Sequence, residues 1–252
     1  MEILFLGLGS GTSFSVLRKL KYPYVFVSFT TRNVGNIKNL ISRIKPKIVF
    51  IDSGGFYSAF KGHTYPLKDY VRFVSSLAMR FPRVEVWFAT RDYPCEPELL
   101  KKHNYTVVGQ IEKTIRDTLM IIRLLKNKPS NLTLIPIRQG WAIKDYELCI
   151  EKMYENEIID HYEIIGIGST CRRYKDYEVA KIIRRIYNLI PGKKFHAFGL
   201  KRSAWGLVST YLFSTDTLAY SLSARYYALK ENIPLFNAYL HIVKEYISTL
   251  IM

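Results

Sequence analysis

The residues best placed to do chemistry in this chain are acids and amides that stop apolar runs. Ile48-Val49-Phe50-Ile51 reads as a strand buried on both faces, and it halts at Asp52-Ser53-Gly54-Gly55-Phe56. Val84-Glu85-Val86-Trp87-Phe88-Ala89 halts at Thr90-Arg91-Asp92, and Leu132 to Ile137 halts at Arg138-Gln139-Gly140. Tyr162 to Ile167 ends in Gly168-Ser169-Thr170-Cys171-Arg172-Arg173, a further strand carries His196, and Leu212-Phe213-Ser214-Thr215 leads into Asp216. In α/β folds ligands gather at the carboxyl ends of strands, so these groups share one rim. Two carboxylates across a pocket can divide labour at a sugar C1′, one as nucleophile and one handling protons. A third carboxylate and an amide can read the donor and acceptor edge of a purine. Glycines leave room for a planar base, and Tyr or Phe rings can stack on it. For each residue a plainer role competes: Asp52 as a helix cap, Asp92 before Tyr93-Pro94 as a turn residue, and His196 as a satisfied core histidine.

The elements that must position these groups alternate along the whole chain. Met1 to Leu8, Tyr24 to Phe29, the Asp52 strand, Val84 to Ala89, Leu132 to Ile137, Tyr162 to Ile167, Phe195 to Gly199 and Leu212 to Asp216 are eight strand candidates. Helical spacing separates them: Ile37, Leu40, Ile41 and Ile44; Leu67 to Phe81; Ile111, Ile115, Leu119, Ile122 and Leu125; Trp141 to Ile159; and Val179, Ile182, Ile183 and Ile186. Helices from about Leu218 to Leu229 and Leu235 to Ile251 close the chain. Gly9-Ser10-Gly11-Thr12 lacks the Lys of a phosphate loop and reads as a turn into a short helix. The pattern predicts an α/β fold, a single (β/α)8 barrel of TIM type over residues 1–252, irregular where connections are short. A doubly wound sheet is the alternative.

Charge narrows the partner. With 37 Lys and Arg against 21 Asp and Glu, the net charge of +16 favours a polyanion such as nucleic acid or a membrane surface. Arg172, Arg173, Lys201 and Arg202, with Trp205 beside them, are the candidate backbone contacts. No apolar run approaches the roughly 20 residues of a membrane span, and a cytoplasmic location without membrane partner is the expectation. Cys95, Cys149 and Cys171 are too scattered for a disulfide framework or a structural zinc site. Neither metal nor cofactor is expected.

Asp52-Ser53-Gly54-Gly55-Phe56 resembles the Asp-Ser-Gly-Gly-Phe motif of the tRNA-guanine transglycosylases, and Gln139-Gly140 and Gly166-Ile167-Gly168 resemble two later strand ends of that superfamily. Gly166 to Arg173, with His196-Ala197-Phe198-Gly199 after it, looks closer to the DpdA-type relatives, which exchange guanine in DNA for a 7-deazaguanine. The resemblance implies Asp216 as nucleophile and Asp52 as the proton-handling group. It implies base contacts from Ser53, Gly54, Gly55, Phe56, Asp92, Gln139, Gly140, Gly168, Ser169 and His196. The tRNA enzymes' Pro-Thr-Arg stretch does not follow Asp216, and His241 is the single Cys or His between Asp216 and Met252, so nothing in that stretch could supply their zinc-binding cluster. The function so implied is a pentosyltransferase that replaces guanine in a polynucleotide, DNA rather than tRNA, with a base such as 7-cyano-7-deazaguanine, through a covalent aspartyl-glycosyl intermediate. A non-catalytic nucleic-acid-binding barrel and a base-excising glycosylase are the alternatives. Whether the chain acts as a homodimer or with a partner protein stays open.

Overall fold

A computed structural model describes residues 1–30, 34–62 and 64–249. The end of the last expected helix, at Leu250 and Ile251, lies outside them. Nine parallel strands form one sheet: β1 (Ile3–Gly7), β2 (Tyr24–Ser28), β3 (Ile48–Asp52), β4 (Glu85–Ala89), β5 (Leu132–Ile135), β6 (Ile137–Arg138), β7 (Ile164–Ile167), β8 (Lys194–Ala197) and β9 (Ser214–Thr217). Their order is β5-β4-β3-β2-β1-β9-β8-β7-β6. The two ends of the sheet, β5 and β6, are thus consecutive pieces of chain on either side of Pro136. They make one stave, so the eight strands of the sequence pattern close into a nearly complete TIM-like barrel, and the doubly wound alternative falls.

The break has a chemical cause. Proline has no N–H and cannot continue a ladder on both sides. The β5 half therefore pairs with β4, with the Thr90 N–H donating to the Ile135 carbonyl at 3.0 Å. Past Pro136 the strand turns to β7: the Gly166 N–H donates to the Pro136 carbonyl and the Gly168 N–H to the Arg138 carbonyl, both at 2.8 Å. The Ile137 N–H, buried at the changeover, donates to Thr90 Oγ1 at 3.0 Å.

Period-2 alternation sorts the strand residues. Leu4 and Leu6 of β1, Val49 and Ile51 of β3, and Val86 and Phe88 of β4 face the surrounding helices, whereas Ile3, Phe5, Ile48, Phe50, Trp87 and Ala89 point into the barrel. The interior is packed rather than hollow. Phe5 and Phe50 meet edge to face at 5.3 Å between ring centroids, Phe5 and Trp87 at 5.5 Å, and Phe26 and Phe50 at 5.4 Å. Truncating one such ring costs about 3–5 kcal/mol in a protein core. This aromatic plug is the rigid floor on which the rim stands.

Several helical segments depart from expectation, among them the short turns between Arg202 and Tyr211. The stretch from Trp141 to Ile159 splits into Ile143–Glu155 and Ile158–His161, with Glu157 between them in the left-handed region at φ 56°. Short helices at Gly55–Lys61 and Pro97–His103 had no apolar period long enough to announce them. The first is separated from β3 by two residues and the second follows the loop of residues 90–96, and both shape the rim. Ser10 caps the helix Gly11–Lys19 through a reciprocal pair with Ser13, as a turn-to-helix reading of Gly9 to Thr12 requires.

Candidate active site

At the carboxyl end of the barrel lies a cavity of about 160 Å³, walled by Phe26, Asp52, Phe56, Asp92, Pro94, Glu96, Gln139, Gly168, Ser169, Cys171, Phe198, Gly199 and Asp216. Residues from seven staves or the segments that directly follow them meet there. Asp52 closes β3, and its Oδ2 accepts the Gly54 N–H at 2.9 Å. Burial pushes its carboxyl up to about 7, the negative charges of Asp92 and then Asp216 adding to the shift; the Gly54 amide and Ser28 pull the other way. A carboxyl poised there can give and take a proton near neutrality.

Asp92 is gripped from both sides. Ser53 Oγ donates to Oδ1 at 2.8 Å, and the Gln139 amide nitrogen donates to Oδ2. Burial raises its carboxyl too, against those two hydrogen bonds. Each carboxylate oxygen has a second lone pair, so Asp92 can still accept from a ligand. Gln139 is held at its other end by Ser169 Oγ, 2.7 Å from Oε1.

Asp216, on β9, is almost fully buried. Its Oδ1 accepts the Gly199 N–H at 2.8 Å and lies 3.3 Å from His196 Nε2. Oδ2 has no hydrogen bond among the described residues. His196 Nδ1 lies 2.9 Å from Ser214 Oγ. Burial pushes the histidine down, favouring the neutral ring, with the Asp216 bond acting in the opposite sense. A neutral ring protonated on Nε2 satisfies both contacts, donating to Asp216 and accepting from Ser214. His196 packs on the aromatic plug, 4.6 Å from the Phe50 centroid and 4.5 Å from that of Phe198. It therefore orients Asp216 from beneath instead of walling the cavity as a base contact.

Other sequence candidates also stand behind the wall. Ser53 is fully buried and engaged with Asp92. The glycines make room for protein groups where a planar ligand was expected to claim the space. Gly54 is left-handed at φ 74° and faces Thr30; a Cβ on Gly55 would overlap Asp92; and one on Gly168 would overlap the Gln139 amide. Gly140 packs against Tyr146, outside the cavity wall. Phe56 and Gly168 do line the cavity, as does Ser169, which is itself left-handed at φ 52°. Arg138 alternates away from Gln139 into the barrel–helix layer. It is fully buried 5.2 Å from the Phe195 ring, and burial pushes it down to about 9.

The basic candidates divide. Arg172 is exposed and stacks over Phe56 at 4.4 Å, with Glu98 3.5 Å away. Lys201 approaches the ring of Tyr174, which is 86% exposed. Together with Trp141, Glu96, Pro97 and Glu98 they line a larger cavity of about 380 Å³, which shares Glu96 with the first. Arg173 departs from the expected phosphate role. It is buried, donating to the Ser169 carbonyl at 3.0 Å and the Trp141 carbonyl at 2.6 Å, and it backs the Trp141 ring at 4.1 Å. Arg202 reaches the last helix, donating to Thr249 Oγ1 at 2.8 Å. Trp205 is buried, with its indole N–H on the Leu200 carbonyl at 3.2 Å, and offers no stacking face.

Sequence reasoning missed Glu96, Trp141 and Tyr174. An acid before Pro97 reads as the first residue of a helix, and only the folded chain carries it to Ser169, 3.1 Å away across 73 positions.

These features make the chain a TIM-like barrel in which four acids and an amide converge on one cavity at the carboxyl rim. The family model of DpdA, "DeoxyPurine in DNA protein A", matches residues 4–237, and the chain belongs to that family. No curated protein matches it. Among solved structures it is similar to the catalytic core of xylanase A, at 9% identity over 86% of each chain with a TM-score of 0.52. The YdjI aldolase from Escherichia coli K12 is 12% identical over 99% of this chain and 88% of its own, with a TM-score of 0.46. At 9% identity the likeness to the xylanase core is one of fold alone. No described helix is long and apolar enough to cross a membrane.

Proposed function

We propose that the protein is a pentosyltransferase that exchanges guanine in DNA for a 7-deazaguanine, such as 7-cyano-7-deazaguanine. The observation that carries this reading is the meeting of Asp52, Asp92, Gln139 and Asp216 in one cavity of a DpdA-family chain. In the first displacement the Asp216 carboxylate attacks C1′, the bond from C1′ to the base nitrogen breaks, and its electron pair leaves with guanine. Protonated Asp52 neutralises the departing base. In the second, Asp52 takes the proton of the incoming base, whose nitrogen attacks C1′ and releases Asp216. Two inversions retain the anomeric configuration. Asp92 and Gln139 read the base edge, and Phe26, Phe56 and Phe198 supply aromatic wall.

The target base must leave its stack to reach a cavity at the barrel rim. The adjoining groove supports that route, because Tyr174 and Trp141 offer rings to a neighbouring base while Arg172 and Lys201 can meet phosphates. The test is incubation of the protein with labelled guanine or 7-cyano-7-deazaguanine and either DNA or tRNA. Incorporation into DNA, abolished in Asp216→Asn together with any covalent DNA–protein adduct, is the expected result. Release of free guanine without incorporation points to excision instead. DNA binding unchanged in Asp216→Asn, with neither incorporation nor release in wild type, points to a silent binder.

A further inference from the structure

Glu96 is a buried acid that the two displacements above do not use. It stands where the base cavity meets the groove and lines both. It is also the end of a hydrogen-bonded chain whose protons can be counted. Ser169 Oγ has three polar neighbours: the Cys95 N–H at 3.2 Å, Gln139 Oε1 at 2.7 Å and Glu96 Oε2 at 3.1 Å. The hydroxyl owns one proton. Cys95 is a donor and needs none. Gln139 Oε1 is an amide oxygen and must receive one, because the other end of that amide, Nε2, is turned to Asp92 Oδ2. Asp92 is in turn fixed as an acceptor by the Ser53 hydroxyl, whose oxygen takes the Gly55 N–H at 3.1 Å. Once the Ser169 proton goes to Gln139, an ionised Glu96 would face Ser169 acceptor to acceptor. The contact closes only if Glu96 carries a proton of its own.

We propose that Glu96 is a positioning residue that sets base specificity: as the neutral acid it donates to Ser169, Ser169 donates to Gln139, and Gln139 donates to Asp92. The inference rests on the base-exchange reading for its purpose. A chain polarised this way keeps Asp92 a pure acceptor, which suits a purine edge offering N–H donors, as guanine and 7-deazaguanines do, and refuses the acceptor N1 of adenine. Reversing the Gln139 amide would move the proton to Asp92 and invert the preference. The surroundings agree with the count. Burial pushes the Glu96 carboxyl up and the Asp92 charge adds to this, while its own backbone N–H, Ser169 and the Arg173 guanidinium oppose it. Of the other titratable groups beside it, Cys95 and Tyr146 are themselves pushed up by burial and stay neutral, while Glu98 and Arg172, on the groove side, pair with each other at 3.5 Å.

Infrared difference spectra of the free 252-residue protein at neutral pH test the proton directly, recorded in an Asp52→Asn background because the Asp52 carboxyl, near 7, is itself partly protonated there. A protonated-carboxyl carbonyl band should vanish in Glu96→Gln and persist in Asp92→Asn. A band kept in Glu96→Gln, or lost only in Asp92→Asn, overturns the inference. Binding of free purines gives the second readout. Glu96→Gln, whose amide can donate in place of the acid, should hold guanine within about twofold of wild type. Glu96→Leu should weaken guanine about three- to tenfold, the worth of one hydrogen bond, and lower the guanine-to-adenine ratio by a similar factor. An unchanged ratio in a folded Glu96→Leu protein also overturns it. If wild type binds no purine at all, the exchange reading falls, while the infrared result still decides where the proton sits.

Discussion

Asp52 carries the strongest consequence of a single side chain. With its folded carboxyl near 7 and an ordinary unfolded value of 3.8, the native state holds an extra proton between those limits. Stability linked to Asp52 is therefore complete below about pH 4 and is lost as pH rises through about 7. Asp52→Asn removes the ionisation, so its melting temperature should exceed that of wild type at pH 8 and converge with it toward pH 4. For a chain of this length each kcal/mol recovered corresponds to about 2–4 °C. Catalysis should move the other way. Without the proton donor, guanine release from DNA in a single turnover should slow by about 10²–10⁴-fold. In wild type, release should fall above pH 7, where the leaving base goes unprotonated. A rate flat from pH 5 to 9 would remove Asp52 from the proton-handling role.

At the scale of elements, the closure of the barrel depends on how one stave changes partner. Thr90 serves both sides of the seam, its N–H on the Ile135 carbonyl and its Oγ1 beneath the Ile137 N–H. Thr90→Val keeps the shape but strands a buried amide, which costs about 1–3 kcal/mol. Thr90→Ser, which keeps the acceptor, should cost clearly less, and chemical denaturation of the two variants measures the difference. Equal losses would mean that the methyl packing, rather than the hydrogen bond, holds the seam. Gln139 follows directly after β6, so a loosened seam should also weaken purine binding. The strand's existence was legible from Leu132 to Ile137, and so was Gln139 as a candidate base contact at its end. Its division at Pro136 between two neighbours was not, since pairing partners are set by closure of the whole sheet.

For the whole molecule, a net charge of +16 sets the affinity for a polyanion, but only part of that charge faces the site. Arg172 and Lys201 line the groove beside the cavity, whereas Arg173 is buried and Arg202 is tied to Thr249. Each phosphate contact contributes about 0.7–0.9 to the slope of log affinity against log salt. Arg172→Ala and Lys201→Ala should each lower the slope for DNA by about that much, and Arg202→Ala should leave it unchanged. Tyr174→Ala should weaken single-stranded DNA by about 1–3 kcal/mol with little change in slope, as expected of stacking. Equal slopes in all four variants would place the DNA path elsewhere on the surface.

The amino-acid sequence by itself determined the alternation of strand and helix, the eight staves, and the acids and amide that end them, because periodicity and strand-end chemistry are local properties of the chain. It also carried the Asp-Ser-Gly-Gly-Phe segment and the excess of positive charge. Only the tertiary structure decided which way each of those groups faces. His196 went under Asp216, Arg173 went into the core, the glycines yielded their space to Asp92 and Gln139, and Glu96 came in from a helix start to complete the wall. Such placements depend on contacts between residues tens of positions apart, and burial then set the proton affinities of Asp52, Asp92 and Glu96.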